Sequence, residues 1–177
     1  VLVVNDSPDR TSEPFTLSQA RAVMVGVPTP VDGHFVLDLD ALRDMCTTVV
    51  EHAVAGQMLI LTSTTYVGCT EDLLVKPLAR RGFRIGVDIF VAFSADPIEA
   101  RSESASRELW TRVVGGATPK CLDRAVEVLV LCGTPVSRSP TLAFAETAKL
   151  LENTFRAVNV CPPGVQLRDR HAHDRPL

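Results

Sequence analysis

No stretch of this sequence stays apolar for the roughly 20 residues that a membrane-spanning helix needs, so no span and no membrane partner are expected. Charge of one sign is scarce too: 18 Lys and Arg stand against 21 Asp and Glu, giving a net charge of −3 and a pI near 5.8. That balance supplies no electrostatic reason for nucleic acid or an anionic lipid surface as partner. The cysteines, at 46, 69, 121, 132 and 161, are odd in number and nowhere spaced as metal ligands. A disulfide framework and a metal site are therefore not expected, and a reduced, cytoplasmic setting is. The opening VLVVNDSPDR turns polar too soon for a signal peptide, and a start on valine is compatible with a fragment.

What is present suits one soluble domain: 177 residues, 46% hydrophobic and 22% charged. Residues 5–19, rich in Ser, Pro, Asp and Thr, have the composition of a loop. The apolar run 22–27 (AVMVGV) is stopped by Pro28 and Pro30, which predicts a buried strand ending in a stiff loop. Asp38 stands where it would cap a helix carrying Leu39, Leu42, Met45, Cys46, Val49, Val50 and Ala53, with Gly56 as its end. A second strand is predicted at 58–61 and a helix at 70–81, with Glu71 and Asp72 where the helix dipole favours negative charge and Pro77 as an interruption. Further strands are expected at 87–93, at 112–114 before Gly115-Gly116, and around Val136. Thr118-Pro119 opens a helix that runs towards Gly133.

The longest helical pattern is 141–159 (TLAFAETAKLLENTFRAVN). Ala145, Ala148, Leu151, Phe155 and Val158 recur at three- and four-residue steps, an apolar stripe expected to be buried. Glu146, Lys149, Asn153 and Arg156 form a polar stripe, which on this stretch alone is a solvated face with a Glu146–Lys149 pair. Lys149 and Asn153 lie one turn apart and project to neighbouring points. After Val160 periodicity ceases.

Short strands alternating with helices predict an α/β fold with a mainly parallel sheet. Ligands of such sheets bind beyond the carboxyl ends of the strands. The residues there are Pro28-Thr29-Pro30, the hydroxyl run from Thr62 to Tyr66, and Ser94 to Pro97, where Asp96 is the one carboxylate. Any one of these is ordinary loop chemistry, but three on one edge, with a Lys/Asn helix, favour a site.

Five motifs in order carry a family likeness: VGVPTPVD (25–32), LTSTTYVGCTE (61–71), VAFSADP (91–97), RVVGGATP (112–119) and AETAKLLENTFRAVN (145–159). Together they resemble the UDP-glucose/GDP-mannose dehydrogenase family, nearest to its UDP-N-acetylhexosamine (ManNAc or GlcNAc) 6-dehydrogenases. The resemblance implies a Rossmann-like domain with flanking helices and NAD+-dependent oxidation of a sugar C6 alcohol to a carboxylate, through a cysteine-bound thiohemiacetal and thioester. It implies that Thr64 positions water, Lys149 holds the oxyanion, and Asn153 orients water or oxyanion. Asp96, in the place of the family's Ser-Pro-Glu-Arg glutamate, would act beside Thr64. Pro28, Thr29 and Thr64 would border the nicotinamide-ribose side of NAD.

Departures from the family are as informative. No Gly-x-Gly-x-x-Gly occurs, and Gly115-Gly116 has the wrong spacing to replace it. No Gly-His-Cys segment follows the long helix. Cys46, Cys121 and Cys132 fall on helices as small apolar residues, and Cys69 stands in a loop where the family usually has threonine. The expected organisation is a disordered segment 1–11, the second half of an NAD-binding domain over 12–140, the start of a central helix over 141–160, and a divergent tail over 161–177. On this reading the chain is a fragment of an NAD-dependent UDP-sugar 6-dehydrogenase, inactive alone, with a UDP-sugar partner and pairing of two copies through the long helix. The alternative is a non-catalytic remnant or interaction module.

Overall fold

The computed structural model describes residues 1–4, 14–30, 37–95 and 111–159. Six strands form one sheet in the order of the chain: β1 (Leu2–Val4), β2 (Ala22–Val25), β3 (Met58–Leu61), β4 (Phe90–Phe93), β5 (Arg112–Gly116) and β6 (Val136–Arg138). All neighbouring pairs are parallel except β4 with β5, which is antiparallel. The helices are α1 (Pro14–Gln19), α2 (Asp40–His52), α3 (Lys76–Arg80), α4 (Pro119–Leu131) and α5 (Leu142–Asn159).

Strands β3 and β4 are buried at every position, which is why they are continuous apolar runs rather than alternating ones. Successive side chains point to opposite faces and feed two cores. Leu59, Leu61, Val91 and Phe93 join α2 and the helical stretch 69–80 on one side. Met58, Ile60, Phe90 and Ala92 meet Cys121, Ala125 and Leu129 of α4 on the other. The chain is thus a three-layer α/β unit, as its alternating pattern predicts.

Several elements differ from their sequence expectation. Leu2–Val4, placed in a disordered segment by composition, is a strand whose backbone pairs with β2, while residues 5–13 and 161–177 lie outside the described residues. Pro14–Gln19 is a helix rather than loop, because Leu17 enters the core and the buried Gln57 side chain donates to the carbonyls of Leu17 (2.7 Å) and Ala20 (2.8 Å). The helix expected over 70–81 forms, but its first part, Glu71–Val75, is a π-helical turn in which the Lys76 N–H reaches the Glu71 carbonyl. Pro77 accounts for it: an α-turn would crowd its ring against the Leu73 carbonyl and find no donor there.

The largest difference concerns α5. Its buried face is Leu142, Ala145, Glu146 and Lys149, at i, i+3, i+4 and i+7. Leu151, Phe155 and Val158, expected to be buried, are 65%, 73% and 71% exposed. What seats the helix this way is Gly115 of β5, where a Cβ would stand 2.5 Å from the Thr141 carbonyl and 2.9 Å from the Ala145 Cβ. Gly116 admits the first turn of α4 in the same manner, against the Leu122 backbone. The two glycines are packing residues of the sheet.

Gly115→Ala should therefore cost about 1–3 kcal/mol of stability, the usual penalty of overpacking a close contact. Urea unfolding followed by circular dichroism measures it; an unchanged midpoint would show that α5 does not need this approach.

Candidate functional site

The carboxyl ends of β2 and β3 are laced together by side chains. The Thr62 hydroxyl donates to the Val25 carbonyl (2.9 Å), and the Ser63 hydroxyl accepts from the Val27 N–H (2.9 Å) while donating to the Val27 carbonyl (2.8 Å). Thr29 donates to the Thr64 carbonyl (2.8 Å), which brings two of the expected cofactor-side residues together. Thr65 leans on the Tyr66 carbonyl at 3.5 Å. In the run 62–65 only the Thr64 hydroxyl makes no hydrogen bond among the described residues, and Thr64 is half-buried. It is the one free to bind water or a ligand.

Lys149 is 7% exposed and lines a cavity of about 220 Å³ between α5 and the ends of β4 and β5, with Phe93, Ala95, Arg112 and Ala148 on its walls. Its ammonium pairs with Glu152 at 2.9 Å, not with Glu146. Burial pushes the Arg112 guanidinium below its usual value. One turn beyond Lys149, the Asn153 Oδ1 is buried and accepts no hydrogen bond among the described residues. A buried acceptor left so costs about 1–3 kcal/mol, the signature of a group meant for something else. Thr64, Pro28 and Thr29 are not among the residues lining this cavity. Asp96 lies outside the described residues; its neighbour Ala95 forms part of the wall.

Glu146 was missed by sequence reasoning, which placed it in solvent. It is 1% exposed, and its carboxylate accepts from the Gly68 N–H (2.6 Å), the Thr70 N–H (2.9 Å) and the Thr70 hydroxyl (2.7 Å). These donors open the helical stretch that begins at Cys69, where backbone N–H groups have no partner within the helix. The signal was available: that helix start has no Asp, Asn or Ser cap of its own, and Glu146 shares the 142/145/149 face. Ser94, in the strand-end run 94–97, has its hydroxyl fully buried at the end of β4 and without a hydrogen-bond partner among the described residues.

Against this geometry the comparisons can be set. Residues 9–130 match the NAD binding domain of the UDP-glucose/GDP-mannose dehydrogenase family. The chain belongs to that family. Among relatives, Protein CapL of Staphylococcus aureus is 32% identical over 160 residues, 88% of this chain and 37% of CapL. The UDP-N-acetyl-D-glucosamine 6-dehydrogenase of Pseudomonas aeruginosa is 29% identical over 148 residues, 81% of this chain and 35% of that enzyme. Among solved structures, the UDP-D-ManNAc dehydrogenase of Pyrococcus horikoshii superimposes with a TM-score of 0.72 at 28% identity, covering 85% of this chain and 36% of the other. The chain spans about a third of the length of these family members.

Two of the described thiols, Cys46 and Cys69, are poor nucleophiles. Burial, foremost, and the neighbouring Cys69 push the Cys46 thiol up to about 12, and burial likewise raises Cys69. Raised in the folded state, both favour folding fully below the ordinary thiol range and lose that contribution as pH climbs above it, for Cys46 towards 12. Cys132 is exposed. Thiol titration of the native protein at pH 8 should label Cys132 and spare Cys46, Cys69 and Cys121 until denaturant is added; rapid labelling of Cys46 or Cys69 would contradict their burial.

Proposed function

We propose that the chain forms part of the NAD-binding domain, with the first turns of the central helix, of an enzyme that oxidises the C6 alcohol of a UDP-linked N-acetylhexosamine to the uronic acid. The observation that carries this reading is Lys149: a lysine buried on α5, walling a cavity beside the end of β4, with the unsatisfied Asn153 acceptor one turn away. An ammonium and an amide so placed can face charge developing on a substrate oxygen. Thr64, with its hydroxyl uncommitted, would position water, and Asp96 would act beside it as acid or base. The named activities of the relatives favour UDP-GlcNAc or UDP-ManNAc as substrate class.

The residues present fit one side of NAD. Pro28, Thr29 and Thr64 would border the nicotinamide ribose, where the cofactor, when bound, supplies the hydride acceptor. Strand β1 is followed by Asn5-Asp6-Ser7-Pro8, which has no glycine to let a pyrophosphate approach the backbone. NAD would therefore lack the pyrophosphate contacts that normally supply much of its affinity, and weak or no binding is expected. No helix among the described residues is long and apolar enough to cross a membrane. Free thiols at Cys46, Cys69, Cys121 and Cys132 suit a cytoplasmic location. A second copy of the chain would cover Leu151, Phe155 and Val158, an exposed stripe that equally favours an interaction role.

Calorimetry should give an NAD+ affinity no better than roughly millimolar, since the phosphate-binding helix terminus normally supplies much of it. A micromolar constant would overturn that expectation. In NMR titrations, millimolar UDP-GlcNAc or UDP-ManNAc should shift the amides of Thr64, Lys149 and Asn153, and Lys149→Ala should abolish the response. Shifts confined to other residues, or indifferent to Lys149→Ala, would remove the site. Light scattering should return twice the 19.2 kDa chain mass, and Phe155→Asp should halve it; a monomer at all concentrations would dismiss the pairing.

A further inference from the structure

Thr64 and Lys149 are 85 positions apart and sit on different elements, so something must fix one relative to the other. The loop that carries Thr64 is secured at its start by the Ser63–Val27 and Thr29–Thr64 bonds. At its far end, four and six residues beyond Thr64, the groups that hold it are the Gly68 N–H, the Thr70 N–H and the Thr70 hydroxyl, and all three donate to Glu146. Glu146 lies three residues before Lys149 on the same face of α5. We propose that Glu146 is a positioning residue: its carboxylate ties the loop of Thr64 to the helix of Lys149 and sets the geometry between them. The inference rests on reading Thr64 and Lys149 as parts of one site.

A carboxylate is required for this and a side chain of equal shape is not enough. Three donors converge on two acceptor oxygens, with Oε2 taking Gly68 and Oε1 taking both groups of Thr70. In Glu146→Gln the amide would fill the same space, but its NH₂ would face the N–H of either Gly68 or Thr70, donor against donor. Space-filling would survive and the tie would not. Packing of α5 on Gly115, by contrast, is unaffected by that change.

The chain offers two local reporters. Tyr66 is its one tyrosine and lies inside the loop, and Lys149 is one of three lysines, with Lys76 and Lys120 on the surface. With 3-fluorotyrosine incorporated, a single fluorine resonance follows the loop. Acetylation read by mass spectrometry follows Lys149, with Lys120 as reference in the same tube. Glu146→Gln should shift or broaden the Tyr66 resonance and accelerate Lys149 acetylation relative to Lys120 by about tenfold, the scale of one unsatisfied buried donor. Thr70→Val, which removes one of the three donors and no charge, should do the same to a smaller degree. Leu129→Ala, a cavity in the α4 core on the opposite face, should leave both reporters at their wild-type values although it lowers stability.

If either reporter stays at its wild-type value in Glu146→Gln, or if Leu129→Ala moves both as far, the proposal fails. Should Glu146→Gln not fold, Thr70→Val and hydrogen exchange of the unsubstituted chain decide. The Gly68 and Thr70 amides should then exchange as slowly as those of Leu59 and Ile60, and exchange at open-loop rates would overturn the tie. No NAD+ or sugar nucleotide is added, so a failed titration of the site and a failed tie give different results.

Discussion

The close approach of α5 to β5 at Gly115 is the constraint on which the rest depends. With no side chain at that position, the helix settles on the sheet through Thr141 and Ala145 and turns Leu142, Glu146 and Lys149 inward. A charged pair of positions enters the interior for that reason, and each needs its own partner there. Glu146 finds three donors at the start of the 69–80 helix, and Lys149 finds Glu152 at the rim of its cavity. The apolar half-turns at Leu151, Phe155 and Val158 are left outward as the consequence of the same rotation.

Much of the sheet was legible because its strands are apolar on both faces. Residues 22–25 and 58–61 stand out as uninterrupted runs between breakers, and Thr118-Pro119 marks the start of α4, where the Thr118 hydroxyl accepts from the Cys121 N–H. Pro14–Gln19 was not legible, since its helix is stabilised from a distance by Gln57, 40 residues from Leu17. The face of α5 was not legible either. Periodicity counts apolar side chains along one helix, whereas the rotation of α5 is decided by a missing side chain on β5.

The candidate site divides in the same way. Lys149 and Asn153 stood out by helical spacing and Thr64 by its place past a strand; family likeness supplied their expected roles, and packing then gave each a distinct condition. The Thr64 hydroxyl is uncommitted, Lys149 is buried, and Asn153 has an acceptor to spare. Glu146 needed the tertiary structure, because its partners lie 76 and 78 residues away. Asp96 lies outside the described residues.

Strand order has a consequence for how the chain assembles. Each strand pairs with the next in sequence, so every step of the sheet can close with only the intervening segment made, and ordering from the first strand onward follows emergence from the ribosome. The Glu146 contacts do not share that locality. They must wait until α5 is synthesised, long after Gly68 and Thr70 have left the exit tunnel. During that interval the start of the 69–80 helix lacks the Glu146 carboxylate, and the sheet matures before the loop after β3 is tied to α5.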